Sequence, residues 1–153
     1  MATNEVRIEQ ATLRDIDDLA PLFDAYRQFY DQNSDAEGAR SFLHERINAN
    51  ESTVMFAVMN GMVAGFVQLY PLFSSVRIAR ILVLNDLYVC PDQRRHGVAG
   101  KLIQAAVDFA KSNHYSRLIL ETTEDNMAAQ SLYEGLGWSE EKGMKHYALE
   151  VNR

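Results

Sequence analysis

The stretch ILVLNDLYVCPDQRRHGVAGKL, running from Ile81 to Leu102, decides how this chain folds. It opens as a nearly continuous apolar run to Cys90, the pattern of a buried strand. Asn85 and Asp86 interrupt that run, and a polar pair inside a buried strand is costly unless something satisfies it. A turn follows, Gln93-Arg94-Arg95-His96-Gly97-Val98-Ala99-Gly100-Lys101, leading into a helix from about Val98 to Asn113. Leu102, Ile103, Ala106, Val107 and Ala110 recur on that helix at helical spacing. Gly97, Ala99 and Gly100 admit close backbone approach, and a helix N-terminus presents unpaired N–H groups to an anion. Arg94, Arg95 and Lys101 add positive charge at the same place. The stretch reads as a strand that delivers the chain into a pyrophosphate cradle. It is not a Walker loop, which needs a longer spacing and a terminal Lys-Ser/Thr, and it lacks the first two glycines of the dinucleotide fingerprint.

The pattern extends outward in both directions. Val6 and Ile8 alternate with polar residues as a short strand. Asp15 is placed to cap a helix whose apolar stripe is Ile16, Leu19, Leu22, Phe23, Tyr26, Phe29 and Tyr30, with Pro21 expected to bend or interrupt it. A second helix follows Ser34 or Asp35, with Phe42, Leu43 and Ile47 on its buried side. Val54, Phe56 and Val58 alternate as a strand, Asn60-Gly61 signals a hairpin, and the return strand runs from Met62 to Tyr70, stopping at Pro71. Beyond the long helix, Leu118 to Leu120 form a short buried strand and Met127 to Leu136 a helix ended by Gly137. Met144 to Val151 read as a final strand. The order is β-α-α-β-β-β-α-β-α-β, an α/β fold with a mixed sheet and helices on both faces.

The chain has 153 residues with 47% hydrophobic and 24% charged, the profile of one globular domain over residues 1–153. The single cysteine, Cys90, excludes a disulfide scaffold and fits a reducing, cytoplasmic setting. No run approaches the length of a membrane span, and no signal-peptide core is present. The net charge of -6 disfavours nucleic acid as a partner, since phosphate binding needs a basic face. His44, His96, His114 and His146 show no metal-ligand spacing, so no metal is expected.

Arg94-x-x-Gly97-x-Ala99 after a strand, with Asn126-x-x-Ala129-x-x-Leu132-Tyr133 and Gly137-Trp138 downstream, resembles the GCN5-related N-acetyltransferase (GNAT) superfamily. The element order matches that fold over almost the whole chain. Ala25-Tyr26-Arg27-Gln28-Phe29-Tyr30, Leu84-Asn85-Asp86-Leu87-Tyr88-Val89 and Gly100-Lys101-Leu102-Ile103-Gln104 look most like its yeast histone and polyamine acetyltransferase subgroup. The resemblance implies acetyl-CoA as donor, a primary amine as acceptor, and a central sheet splayed by a bulge. It implies that the pantetheine arm bonds Leu87, Tyr88 and Val89, that the pyrophosphate sits on the N–H groups of Arg95, His96, Gly97, Val98, Ala99 and Gly100, and that Asn126 touches the arm from the other side. Relatives in the subgroup form dimers or larger species, which implies a homodimer paired through an exposed final strand.

Amide formation needs a neutral amine, donors for the tetrahedral oxyanion, and a proton for the leaving thiolate. Tyr133, at the family's tyrosine position, is the candidate acid towards sulfur. Asp86 is the candidate for the amine side, because Asn85 replaces a Glu of the spermidine branch and cannot act as a base. A backbone N–H at Val89 or nearby is the candidate oxyanion donor. Tyr30, Asn85 and Glu121 are candidate acceptor contacts, with Tyr26 and Tyr70 able to offer aromatic faces to an ammonium group. Glu124 and Asp125 join Glu121 in an acidic cluster that reads better as a solvated loop. Cys90 has no histidine placed to activate it, which argues against an acyl-cysteine. The leading reading is a small-molecule amine N-acetyltransferase acting on a polyamine, diamine or amino acid. A protein-lysine or N-terminal acetyltransferase would use the same chemistry. A non-catalytic acyl-CoA-binding module would have no need of the Tyr133 hydroxyl.

Overall fold

The computed structural model describes residues 5–152, which form two compact units divided between Glu121 and Thr122. The first unit carries one five-stranded sheet in the order β1-β2-β3-β4-β5: β1 Val6–Gln10, β2 Thr53–Met59, β3 Met62–Ser74, β4 Ala79–Val89 and β5 Arg117–Ile119. The first four strands are antiparallel and β5 lies parallel to β4, so the sheet is mixed as the sequence predicts. Three helices complete the unit: α1 Ile16–Phe29, α2 Ala36–Asn48 and α3 Val98–Ser112.

Alternation along the strands sorts the core into two layers. Val54, Phe56 and Phe66 form one cluster with Ile16, Leu19 and Phe23 of α1 and Ala39 and Leu43 of α2. Val98, Leu102, Ile103, Ala106 and Ala110 are the buried stripe of α3, which packs on β1 through β4 outside that cluster. Each large apolar side chain buried in this way contributes about 1.5–3 kcal/mol. The loop from α1 to α2 is pinned by Asp24, a buried carboxylate that accepts from the Ser34 hydroxyl and the Asp35 N–H, both at 2.7 Å. The Ser34 hydroxyl, then the Asp35 amide, holds that carboxyl below its ordinary range.

Several local expectations are corrected. Helix α1 runs uninterrupted through Pro21, which lies in its second turn and removes only the hydrogen bond to the Asp17 carbonyl. Asp15 does not cap α1 through its side chain. Its carboxylate instead accepts the Thr12 N–H at 2.8 Å, closing a capping box on a 3-10 turn that precedes the helix. Phe29 and Tyr30 end the stripe exposed rather than in the core. The hairpin is as predicted, with positive φ at both Asn60 and Gly61. The return strand β3, however, continues through Pro71 to Ser74. Pairing with β2 ends at Thr53 and Leu69, so the missing N–H of Pro71 falls on an edge with no partner.

The second unit contains α4, Met127–Gly135, capped by the Asn126 side chain, which accepts the Ala129 N–H at 3.2 Å. Gln130 donates to the Thr123 and Glu124 carbonyls, which folds the preceding loop onto the helix. Gly137 takes a φ of 95° just past its end, as the helix-stop reading requires. Among the described residues, Met144 to Val151 form no strand. Alternation marks a segment able to pair but does not supply the partner edge.

Gly65 shows how tightly β3 and β4 approach. A Cβ there would stand 2.5 Å from the Tyr88 carbonyl oxygen and 3.2 Å from the Val89 Cα, both backbone atoms with no freedom to withdraw. Gly65→Ala is therefore expected to cost about 1–3 kcal/mol in urea unfolding, whereas Gly100→Ala, whose Cβ meets nothing within 4 Å, is expected to be neutral or mildly stabilising.

Candidate active site

The interruption at Asn85 and Asp86 is a β-bulge. Gln68 pairs with Asp86 and Leu69 with Leu84, so Asn85 is an extra residue on β4 with no opposite number. The bulge pushes Asn85 outward to solvent and turns Asp86 inward, where it is 5% exposed. Three groups answer the buried carboxylate. The Gln68 Nε2 donates to Oδ2 at 2.6 Å, the Asn85 Nδ2 donates to Oδ1 at 3.1 Å, and the Tyr26 hydroxyl also hydrogen-bonds it. Burial raises the Asp86 carboxyl above its ordinary range, and the three donors only partly offset it.

The bulge also marks where the sheet opens. Ile81, Leu82 and Val83 pair with β5, and beyond Val83 the same edge of β4 has no strand beside it among the described residues. Alternate amides of a strand face opposite edges. The Cys90 N–H bonds the Ala64 carbonyl of β3 at 2.8 Å, so the Val89 N–H and C=O face the open edge, as do those of Leu87. The Val89 carbonyl is taken by the Arg94 Nε at 3.0 Å, which folds the turn back against the strand and lays the guanidinium over the Tyr88 ring. Arg94, expected at the pyrophosphate, thus has a structural partner.

Past Arg94 the backbone takes left-handed conformations at Arg95 and Gly97, with φ of 68° and 75°, before α3 begins at Val98. Glycine carries that conformation without cost at the N-cap, and no side chain caps the helix. His96, Val98, Ala99, Gly100 and Lys101 follow the same turn and first helical turn as the sequence predicts.

Asp86 and Asn85 also border a cavity of about 500 Å³ between α1, the start of α2 and the sheet. Phe23, Tyr26, Tyr30, Phe42 and Tyr70 supply its aromatic wall, with Arg27 and Asp35 at the polar margin. Tyr26 and Tyr30 meet edge to face at 5.1 Å. Burial, and then the nearby Asp86 charge, pushes the Tyr70 hydroxyl well above its ordinary range, so it is a neutral phenol. Glu121 follows β5 and is not among the residues lining this cavity. Cys90 sits half-buried with its thiol towards the Val63 carbonyl, and burial raises it, which makes it a poor nucleophile.

Tyr133 and Asn126 belong to the second unit. Tyr133 lies on α4 with its ring 5.9 Å from Trp138, whose N–H donates to the Tyr133 carbonyl at 3.0 Å. The motif residues Tyr133, Gly137 and Trp138 are thereby one local structure. Gln68 is the residue sequence reading missed. It sits inside an apolar strand pattern, and only its register opposite Asp86 marks it out.

Comparison with known proteins agrees with this geometry. The acetyltransferase (GNAT) family profile matches residues 19–138. A Bacillus subtilis protein described as the uncharacterized N-acetyltransferase YhfO is 47% identical over 146 residues, covering 95% of this chain and 98% of its own length. A crystal structure of a probable acetyltransferase superposes with a TM-score of 0.90 at 42% identity, covering 96% of this chain and 99% of the other. An aminoglycoside N-acetyltransferase in complex with CoA, 18% identical, shares the fold with a TM-score of 0.81 over 96% of each chain. An open-edged mixed sheet, a strand–turn–helix with an uncapped N-terminus and relatives covering 95–96% of its length make this chain an N-acetyltransferase, a member of the GNAT acyltransferase family.

Proposed function

We propose that this enzyme acetylates a primary amine of a small molecule, with acetyl-CoA as donor and with direct transfer to the amine. The observation that carries this reading is the aromatic cavity of about 500 Å³ with the buried Asp86 carboxylate in its lining. Aromatic faces attract an ammonium group, and a single inward carboxylate fixes one nitrogen. The closer likeness to the yeast histone and polyamine branch rests on Ala25–Tyr30 and Leu84–Val89, and is part of the proposal.

The residues present fit acetyl-CoA. The open edge of β4 offers the Leu87 N–H and C=O and the Val89 N–H to a pantetheine amide, with Tyr88 between them. The left-handed turn at Arg95 and Gly97 and the N-terminus of α3 suit a pyrophosphate, with Lys101 one turn on. Asn126 would offer its Nδ2 amide, since its Oδ1 caps α4. When bound, acetyl-CoA supplies the reactive acetyl thioester.

The chain's own residues then divide the proton work. Asp86 accepts the proton of the ammonium group, directly or through a water in the cavity, and its raised carboxyl is better matched to that task than an ordinary one. The Val89 N–H is the donor for the developing oxyanion. Tyr133 supplies the proton to the departing sulfur. Asn85 and Tyr30 border the acceptor space, and Glu121 is carried as an outer acidic contact. Action in the cytoplasm and as a homodimer, without nucleic-acid or membrane partners, completes the proposal. The dimer does not draw support from a final strand, since Met144 to Val151 form none among the described residues.

The test measures CoA release from acetyl-CoA with spermidine, putrescine, benzylamine, free amino acids and a lysine-rich peptide. Turnover on a small amine that falls about 100-fold in Tyr133→Phe supports the reading. Turnover on the peptide alone would transfer it to protein acetylation, and CoA binding with no acceptor at all would favour a binding module. The pH profile gives a second check. Asp86 must be ionised to take a proton, so kcat/KM should fall as pH drops through its raised titration, above the ordinary carboxylate range. Asp86→Asn should lose activity and that acidic limb together; a variant that kept the limb would remove Asp86 from the proton path.

A further inference from the structure

Gln68 is fully buried at the centre of β3, in register with Asp86 across the bulge. Its Nε2 makes the short 2.6 Å bond to the Asp86 Oδ2, while its Oε1 is buried with no hydrogen-bond partner. A buried acceptor left unmet is a standing cost that leucine, of similar size, would avoid. A side-chain amide N–H donates to an ionised carboxylate, so the Nε2 bond favours the ionised form of Asp86.

We propose that Gln68 is the positioning residue for the amine-side proton transfer: its buried Nε2, in register across the bulge, holds the Asp86 carboxylate ready in its proton-accepting form. The proposal rests on Asp86 being the group that takes the proton. In that step an ammonium N–H bond breaks, leaving its electron pair on nitrogen for attack. An O–H bond forms at the Asp86 carboxyl, and the proton afterwards leaves to water in the cavity.

Three other groups face Asp86. Asn85 on β4 is committed to Oδ1, and Tyr26 on α1 is a donor to the carboxylate. Tyr70 on β3 is a neutral phenol next to Asp86, with the Arg46 charge of α2 acting on it. Arg27 and Tyr30 of α1 and Asp35 before α2 line the cavity beyond, and Arg27 already donates to the Asn33 carbonyl at 3.2 Å.

Two near-isosteric variants test the assignment. Gln68→Met removes both polar ends, and Gln68→Glu keeps an oxygen but sets a second carboxyl beside Asp86. The titration of the Asp86 side-chain carbon is followed by NMR in protein labelled with carbon-13 aspartate, using Asp86→Asn to assign the signal. The midpoint is expected to rise by roughly one pH unit in Gln68→Met and further in Gln68→Glu. The acidic limb of kcat/KM, measured with whichever amine the wild type acetylates fastest, should rise in step. A midpoint that does not move in either variant overturns the role of Gln68 and leaves Asp86 as proton acceptor intact. A midpoint that rises while the limb stays fixed takes Asp86 out of the proton path, and the positioning role falls with it.

Discussion

The one-residue mismatch between β3 and β4 is the constraint on which the rest of the site depends. Without the bulge, Asn85 would pair with Gln68 and every later side chain of β4 would change face. Asp86 would then point away from the cavity, and the amides of Leu87 and Val89 would turn from the open edge towards β3. A single extra residue therefore sets both the inward carboxylate and the open edge. Its position next to Val83, where pairing with β5 ends, puts the two within a few residues of each other.

The energetics of that arrangement explain its neighbours. A carboxylate taken from water into the sheet loses solvation, and each charge-assisted hydrogen bond returns about 1.5–3 kcal/mol. Gln68, Asn85 and Tyr26 come from three different places in the chain to supply those bonds. They do not supply enough to bring the carboxyl back to its ordinary range. The Gly65 backbone, pressed against Tyr88 and Val89, keeps β4 fixed while its other edge stays open.

Much of this was legible in the sequence. The interruption of an apolar run by Asn85 and Asp86 marked the place and the family resemblance implied a bulge, while Asn60-Gly61 announced the hairpin with both residues left-handed. The turn before α3 was readable from its glycines, because only glycine sits at no cost in the conformation Gly97 takes. What was not legible depended on partners distant in sequence. Pro71 was read as a strand end, and its tolerance follows from where β2 stops. Asp15 was read as a cap for α1, and Thr12 redirects it. Met144 to Val151 carried the alternation of a strand without a partner edge, which alternation alone cannot reveal. Gln68 gave no local signal, since its importance is a matter of register with a strand that follows it.

Amide hydrogen exchange with and without CoA reads whether the open edge of β4 takes the donor. CoA is expected to slow exchange at Leu87 and Val89 and at Val98 to Gly100, with the Tyr88 amide, which faces β3, little changed. Equal exchange at Leu87 and Val89 in the two states, with CoA demonstrably bound, would contradict that placement of the donor.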